Sequence, residues 1–160
     1  MSETHFGQTR CFLCDQNLGR LARWLRILGF DAEFMRTWEE NRVMVARREN
    51  RIILTRKHSL ATSPEVILIR NDRVQDQLCE LAAHFDLRAG HRPCIRCSMC
   101  NSLLEGVSRD EVRGLVPEYT YHTQKRFSRC PLCHRIYWKG SHCDRASDFV
   151  RSLFSAGTTP

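Results

Sequence analysis

The chain has no run of about eighteen apolar residues, the minimum for a helix that crosses a bilayer. Its opening, MSETHFGQTRCFLCD, lacks the basic-then-apolar order of a secretory signal. Proline and glycine are scarce, 5 and 8 in 160 residues, which excludes collagen-like and low-complexity disordered classes. Lysine is nearly absent. Of the 25 basic residues 22 are arginine, the side chain whose planar fork pairs bidentately with phosphate. These absences make a soluble, cytoplasmic globular chain with no membrane partner the expectation.

Positive charge and cysteine are abundant. The formal net charge is +7. Residues 1–93 hold fifteen basic and twelve acidic side chains and residues 94–160 hold ten and six, so the shorter tail is the more basic per residue. RNA, as a polyanion, is the favoured partner, although a solvated basic surface accounts for the same composition. In a reducing compartment the nine cysteines point to metal ligands or buried thiols before a disulfide framework.

Short apolar runs alternate with helical periodicity in the first half of the chain. The runs at 10–14 (RCFLC), 30–35, 51–55 (RIILT) and 66–69 (VILI) predict strands. Helices are predicted between and after them at 18–28, 39–49 and 74–85. In the first helix Leu18, Leu21, Ala22, Leu25 and Leu28 form the apolar face, with Arg20, Arg23 and Arg26 opposite and Gly29 as the stop. The pattern predicts an α/β class with an open, mostly parallel sheet and flanking helices. Residues 86–93 (DLRAGHRP) mark a boundary. The expected organisation is therefore a sheet domain over 1–90, a small unit over 94–143 and a C-terminal helix and tail over 144–160, the tail fraying from residue 155.

The small unit has too few apolar residues for a core of its own and needs another staple. Cys97-Ser-Met-Cys100 and Cys130-Pro-Leu-Cys133 are two C-x-x-C knuckles, each able to aim two thiolates at one tetrahedral ion. Structural Zn²⁺ on Cys97, Cys100, Cys130 and Cys133 is the preferred reading. Cys94 with Cys97 is an alternative first knuckle, and His134, His142 and Cys143 are candidate substitute ligands, better read as surface or packing. Cys11, Cys14 and Cys79 read as inert buried thiols.

Ligands of an open α/β sheet sit beyond the carboxyl ends of its strands. Asp15 follows the first strand there, and Thr55-Arg56-Lys57 follows the third. Hydrolysis of phosphodiesters with Mg²⁺ or Mn²⁺ requires converging carboxylates. Asp15 and Glu40 are the catalytic candidates, and a helix cap or a surface charge is the plain alternative for a lone acid. Asp72 is better read as part of an Asn71-Asp72 turn. Arg20, Arg23, Arg26, Arg56 and Lys57 are candidates for holding the RNA backbone. In the tail, Lys125, Arg126, Arg129, Arg135 and Lys139 alternate with Phe127, Tyr137 and Trp138, a mixture that suits stacked unpaired bases or a small core.

Four blocks in order carry a family resemblance: FLCDQNLGRLARWLRILGFD from Phe12, RIILTRK from Arg51, CSMCNSLLEGV from Cys97 and CPLCHRIYWKGSH from Cys130. The chain resembles the PIN-like RNase family named after the C-terminal domain of the mut-seven exonuclease. The resemblance implies a PIN-like fold, metal-dependent ribonuclease activity, a four-cysteine zinc ribbon, and site acids at Asp15 and Glu40. One departure stands out. The family's third-strand motif ends in Thr-Arg-Asp, whereas this chain has Lys57 in the last place. A protonated lysine cannot ligate Mg²⁺, so it either weakens the metal site or replaces the ion as a fixed cation facing phosphate. A non-catalytic RNA-binding or adaptor protein on a decayed scaffold is the competing expectation.

Overall fold

The computed structural model describes residues 10–88 and 90–155, with the side chains of 141, 142, 146 and 153–155 outside the described set. Four short strands, β1 (Cys11–Cys14), β2 (Asp31–Phe34), β3 (Ile52–Thr55) and β4 (Val66–Leu68), form a sheet in the order β2-β1-β3-β4. Every pairing in it is parallel, with Cys14 opposite both Phe34 and Leu54. All four strand ends therefore face one rim, the expected position of a ligand site in such a sheet.

The strands alternate their side chains between two faces, and each face has its own helices. Phe12, Cys14 and Leu54 join Leu21, Leu25, Leu78 and Leu81 of α1 (Gly19–Ile27) and α3 (Val74–His84) in one buried cluster. Leu13 and Ile53 point the other way, onto Val43 and Ala46 of α2 (Glu40–Arg48). The long C-terminal helix, labelled α5 (Ser141–Ser155), adds Val150 to the first cluster, and its Phe149 meets Trp24 edge to face at 6.0 Å. The α/β class and the parallel sheet agree with the sequence pattern, with element ends moved by a residue or so.

Three strands, β5 (Glu105–Val107), β6 (Phe127–Arg129) and β7 (Ile136–Trp138), make a separate antiparallel sheet, and α4 (Glu118–Thr123) lies between β5 and β6 in the chain. Its core is small, built on Val112, Val116 and Phe127 with Tyr121, Ile136 and Trp138 against them.

The two sheets are joined at the end of α1. Gly29, at φ +96°, closes that helix as its αL residue, with Phe30 N–H donating to Leu25 O at 2.9 Å. A Cβ on Gly29 would overlap the Arg92 carbonyl oxygen, so only glycine lets the connecting segment pass this close. That segment bonds to the helix end: Arg92 N–H and Cys94 N–H donate to the carbonyls of Leu28 and Ile27.

Three expectations are corrected here. Arg26 is not on the solvent stripe; it is 8% exposed, while Arg20 and Arg23 are exposed. Its guanidinium donates to Ala32 O (2.7 Å), Met99 O (2.9 Å) and Ser98 O (3.3 Å), so it is a strut between the sheets and has no free face for RNA. Cys94 and Cys143 are disulfide-bonded with Cα atoms 6.1 Å apart, so they are neither a knuckle nor surface thiols. Cys79 is exposed, whereas Cys14 is fully buried and burial pushes its thiol up to about 12.

Asp31 reinforces the junction. Its carboxylate accepts from Arg51 (2.6 Å) and Asn101 Nδ2 (2.8 Å) and faces Arg96. Burial alone would raise this carboxyl, but those donors hold it below its ordinary value of 3.8. A depressed folded-state pKa contributes stability that is complete above the unfolded value, about 3.9, and is lost as pH falls through the folded one. Urea titrations from pH 7 to 2.5 should show this acid loss in wild type and a flatter limb in Asp31→Asn. Arg26→Met should lower stability by about 2–4 kcal/mol, because three carbonyls, two of them in buried hydrogen bonds, lose a charged donor. A melting temperature equal to wild type would refute that role for Arg26.

Candidate functional site

β1 delivers Asp15 to the rim, where the residue is 2% exposed. The ladder continues through its backbone, Asp15 N–H donating to Leu54 O at 3.0 Å. Its carboxylate is held from three sides. Thr55 Oγ1 donates to Oδ2 at 2.6 Å, Arg56 N–H to the same oxygen at 3.2 Å, and Asn17 N–H to Oδ1 at 3.0 Å. Lys57 N–H donates in turn to Thr55 Oγ1 at 3.1 Å, which orients the hydroxyl toward the acid. A carboxylate offers about four acceptor positions, so three donors leave it close to saturated. The lone-acid alternative of a helix cap does not apply, since Leu18 is the residue at the start of α1 and no side chain caps it.

The other rim candidates are more exposed. Glu40 opens α2 and accepts from Trp38 Nε1 at 2.6 Å. Arg56, half-buried, pairs with Asp72, so Asp72 serves as an ion-pair partner in addition to any turn. Lys57 is exposed, and among the described residues it forms no ion pair. Arg20, one turn into α1, is likewise exposed and unpaired among the described residues. Three carboxylates do not converge on Asp15: among the described residues, one group of three or more Cys, His, Asp or Glu has its ligand atoms within 4.8 Å, and it is the four cysteines. Among the described residues Asp15 is thus the one buried acid at the rim, and a hard Mg²⁺ or Mn²⁺ ion there would rely on it together with water and substrate phosphate.

Cys97, Cys100, Cys130 and Cys133 do converge, and their two turns repeat each other bond for bond. Asn101 N–H donates to Cys97 O and His134 N–H to Cys130 O. Cys97 N–H donates to Ser102 O and Cys130 N–H to Arg135 O. Cys100 N–H and Cys133 N–H point at the Sγ atoms of Cys97 and Cys130 at 3.3 and 3.4 Å. Asn101 (φ 66°) and His134 (φ 58°), each just after a knuckle, take the left-handed conformation that closes the turn. His134 is therefore a turn residue outside the thiol cluster, and the side chain of His142 lies outside the described residues.

The sulfur spacing suits a tetrahedral ion. With metal–sulfur bonds of about 2.3 Å, the edges of a tetrahedron are about 3.8 Å; Cys97 Sγ and Cys133 Sγ are 3.7 Å apart. Donors surround the sulfurs: the Ser102 hydroxyl lies 3.1 Å from Cys130 Sγ and the Tyr137 hydroxyl 3.1 Å from Cys97 Sγ. Burial pushes Cys130 up, yet the N–H groups of Cys133 and Leu132 and the Ser102 hydroxyl outweigh it and bring the thiol down to about 6. Burial and the neighbouring thiols of Cys133 and Cys97 push Cys100 up to about 12. The cluster can hold a metal such as zinc. All four positions would be filled by thiolates, so such an ion would be structural.

The roles of three hydroxyls escaped the sequence reading. Thr55, Ser102 and Tyr137 each place one against a functional atom. Thr55 and Tyr137 stand out in the sequence for other reasons and Ser102 follows the first knuckle, but which atom each hydroxyl meets depends on partners 40 or 28 residues away. Thr55→Val should lower stability by about 1–3 kcal/mol, because Asp15 stays buried while losing its shortest hydrogen bond. Chemical denaturation of the two proteins measures it, and a difference near zero would refute the arrangement.

A model of the Mut7-C RNAse domain matches residues 10–150. A human protein described as Exonuclease mut-7 homolog is 33% identical over 115 residues, covering 65% of this chain and 13% of the human protein. The chain thus spans about an eighth of that relative's length. No solved structure matches it. With both the rim and the thiol cluster inside the matched segment, the chain belongs to the Mut7-C RNase domain family.

Proposed function

We propose that this chain is a ribonuclease of PIN-like fold that cleaves RNA phosphodiester bonds at the C-terminal rim of its parallel sheet. The observation that carries the reading is Asp15, a buried carboxylate delivered to the rim and fixed in place by Thr55, Asn17 and the Arg56 backbone. Family membership makes RNA the expected substrate. In this reading Asp15 is the functional acid, Glu40 is a second acid at the mouth of the site, and Arg20 and Lys57 hold backbone phosphates as fixed cations. Arg56 assists them where it is not neutralised by Asp72. A divalent ion at such a site would polarise the phosphate and activate water. In this chain Asp15 would be its one buried ligand, with water and substrate phosphate completing the shell.

A single buried acid at the rim also supports a second reading, RNA binding without cleavage. Lys57 puts an ammonium where the resembling family has a carboxylate, and Glu40 is engaged by Trp38.

We further propose that the second sheet is a zinc ribbon whose ion, held by Cys97, Cys100, Cys130 and Cys133, supplements the small core of the unit. Four thiolates around Zn²⁺ leave a net negative charge, and the Arg26 guanidinium stands on the carbonyls of the first knuckle to offset it. The proposed organisation is a nuclease unit over 1–90, the ribbon over 94–143 and a terminal segment over 144–160.

Cleavage of mixed RNA, with and without Mn²⁺, separates the readings. The ribonuclease predicts wild-type cleavage that falls at least a hundredfold in Asp15→Asn, with RNA affinity nearly kept. Inert wild type together with gain of cleavage in Lys57→Asp would establish the binding-only reading. Elemental analysis should find about one zinc per chain, and its removal by a chelator should unfold residues 94–143 while the parallel sheet persists. Zinc-free native protein with an intact second sheet would refute the ribbon.

A further inference from the structure

A cleft of about 990 Å³ lies between α1 and the four-cysteine unit. Arg23 of α1 lines one side; Arg129 and Arg135, which flank the second knuckle, line the other. Met99, Leu115 and Trp138 supply its apolar surface. Met99 is 47% and Leu115 66% exposed, large side chains left in water with nothing covering them among the described residues. The chemistry is one-sided, since three guanidiniums line the cleft and no carboxylate does. Arg23 and Arg135 form no ion pair among the described residues, whereas Arg129 is partly engaged by Glu111, through an ion pair at 3.9 Å and a long hydrogen bond to its carbonyl at 3.5 Å. Trp138 packs against the small core and the neighbouring Tyr137 hydroxyl lies 3.1 Å from Cys97 Sγ, which fixes this wall of the cleft.

We propose that this cleft is a second RNA subsite, holding unpaired nucleotides by base contacts to Met99, Leu115 and Trp138 and by phosphate contacts to Arg23, Arg129 and Arg135. It rests on the RNA reading above. Guanidiniums beside an aromatic and flexible apolar faces suit a strand with alternating phosphates and flat bases. A volume near the top of the usual range of about 300–1,000 Å³ for ligand pockets accommodates a short run of nucleotides. The cleft is also connected to the rim. Arg20 and Arg23 lie three apart on one exposed face of α1, a rise of about 4.5 Å, and this helix starts four residues after Asp15. A strand seated in the cleft would be led along that face toward the acid. An acidic peptide would meet the same arginines but has no use for the aromatic and apolar faces.

The test uses the full chain, a fluorescent twelve-nucleotide oligouridylate and no added divalent ion. Arg23→Ser/Arg135→Ser and Leu115→Ser replace exposed groups, and unchanged melting and metal content verify folding. Affinity should fall at least tenfold in the double variant, and the slope of log K against log salt should shrink by about 1.4, two phosphate contacts at about 0.7 each for a single strand. Leu115→Ser should weaken binding about threefold or more with the salt slope unchanged. 5-Iodouridine in the oligonucleotide should crosslink wild-type protein at Trp138, Tyr137 or Met99. Unchanged affinity and slope, or crosslinks confined to the rim, would overturn the subsite. Displacement of the RNA by an equal concentration of a decaglutamate peptide would overturn it in favour of an acidic protein partner. Binding that depends on the cleft in a protein that cleaves no RNA supports the subsite and sinks the nuclease reading; cleavage with cleft-independent binding does the reverse.

Discussion

A single buried guanidinium ties the first helix and the parallel sheet to the thiol cluster. Arg26 leaves the last turn of α1, bonds the backbone of β2 through Ala32, and reaches the carbonyls of Ser98 and Met99 in the first thiol knuckle. Burial pulls its pKa down from the ordinary arginine value, and the surrounding sulfurs of Cys14, Cys97 and Cys100 and the Asp31 carboxylate act against that. An arginine tolerates such a place because its proton is lost only far above neutral pH and its fork can serve several carbonyls together. With α1 also carrying the residues that follow Asp15, the strand-end acid and the thiol cluster are referred to the same helix.

The junction around it is polar where most domain cores are apolar. Asp31, Arg51, Arg96 and Asn101 bond across it, and the Cys94–Cys143 disulfide and Trp24–Phe149 contact bring the final helix onto the same region. Polar groups buried in this way specify one orientation, since any shift leaves donors without acceptors. Asn101 shows how tightly the parts are coupled. Its backbone closes the first knuckle in the left-handed conformation, while its amide oxygen accepts from Ala32 N–H and its amide nitrogen donates to Asp31. A metal held by the knuckles would therefore stabilise the junction as well as the small sheet.

The rim and the thiol cluster differ in what they are ready to do. The cluster is convergent, with four sulfurs from two matching turns and a spacing that fits a tetrahedral ion. The rim presents one deeply seated acid, with Arg56 and Lys57 in the segment after β3 and Arg20 in the first turn of α1.

Much of this was legible in the sequence. Alternating apolar runs and helical stripes were enough for the parallel α/β class, and two C-x-x-C motifs were enough for the thiol cluster, because both signals arise from local periodicity and turn geometry. Asp15 was legible as a strand-end acid for the same reason. The role of Arg26 was not: helical spacing puts it in line with Arg20 and Arg23, and only the packing of a second unit against the end of α1 buries it. The pairing of Cys94 with Cys143 across 49 residues, and the donors converging on Asp15 and the thiols, likewise depend on long-range approach. Local pattern determined which elements form and which side chains carry chemistry. Tertiary structure decided which of those side chains meet solvent and which are committed to holding the two sheets together, because burial and hydrogen-bond pairing belong to the assembled chain.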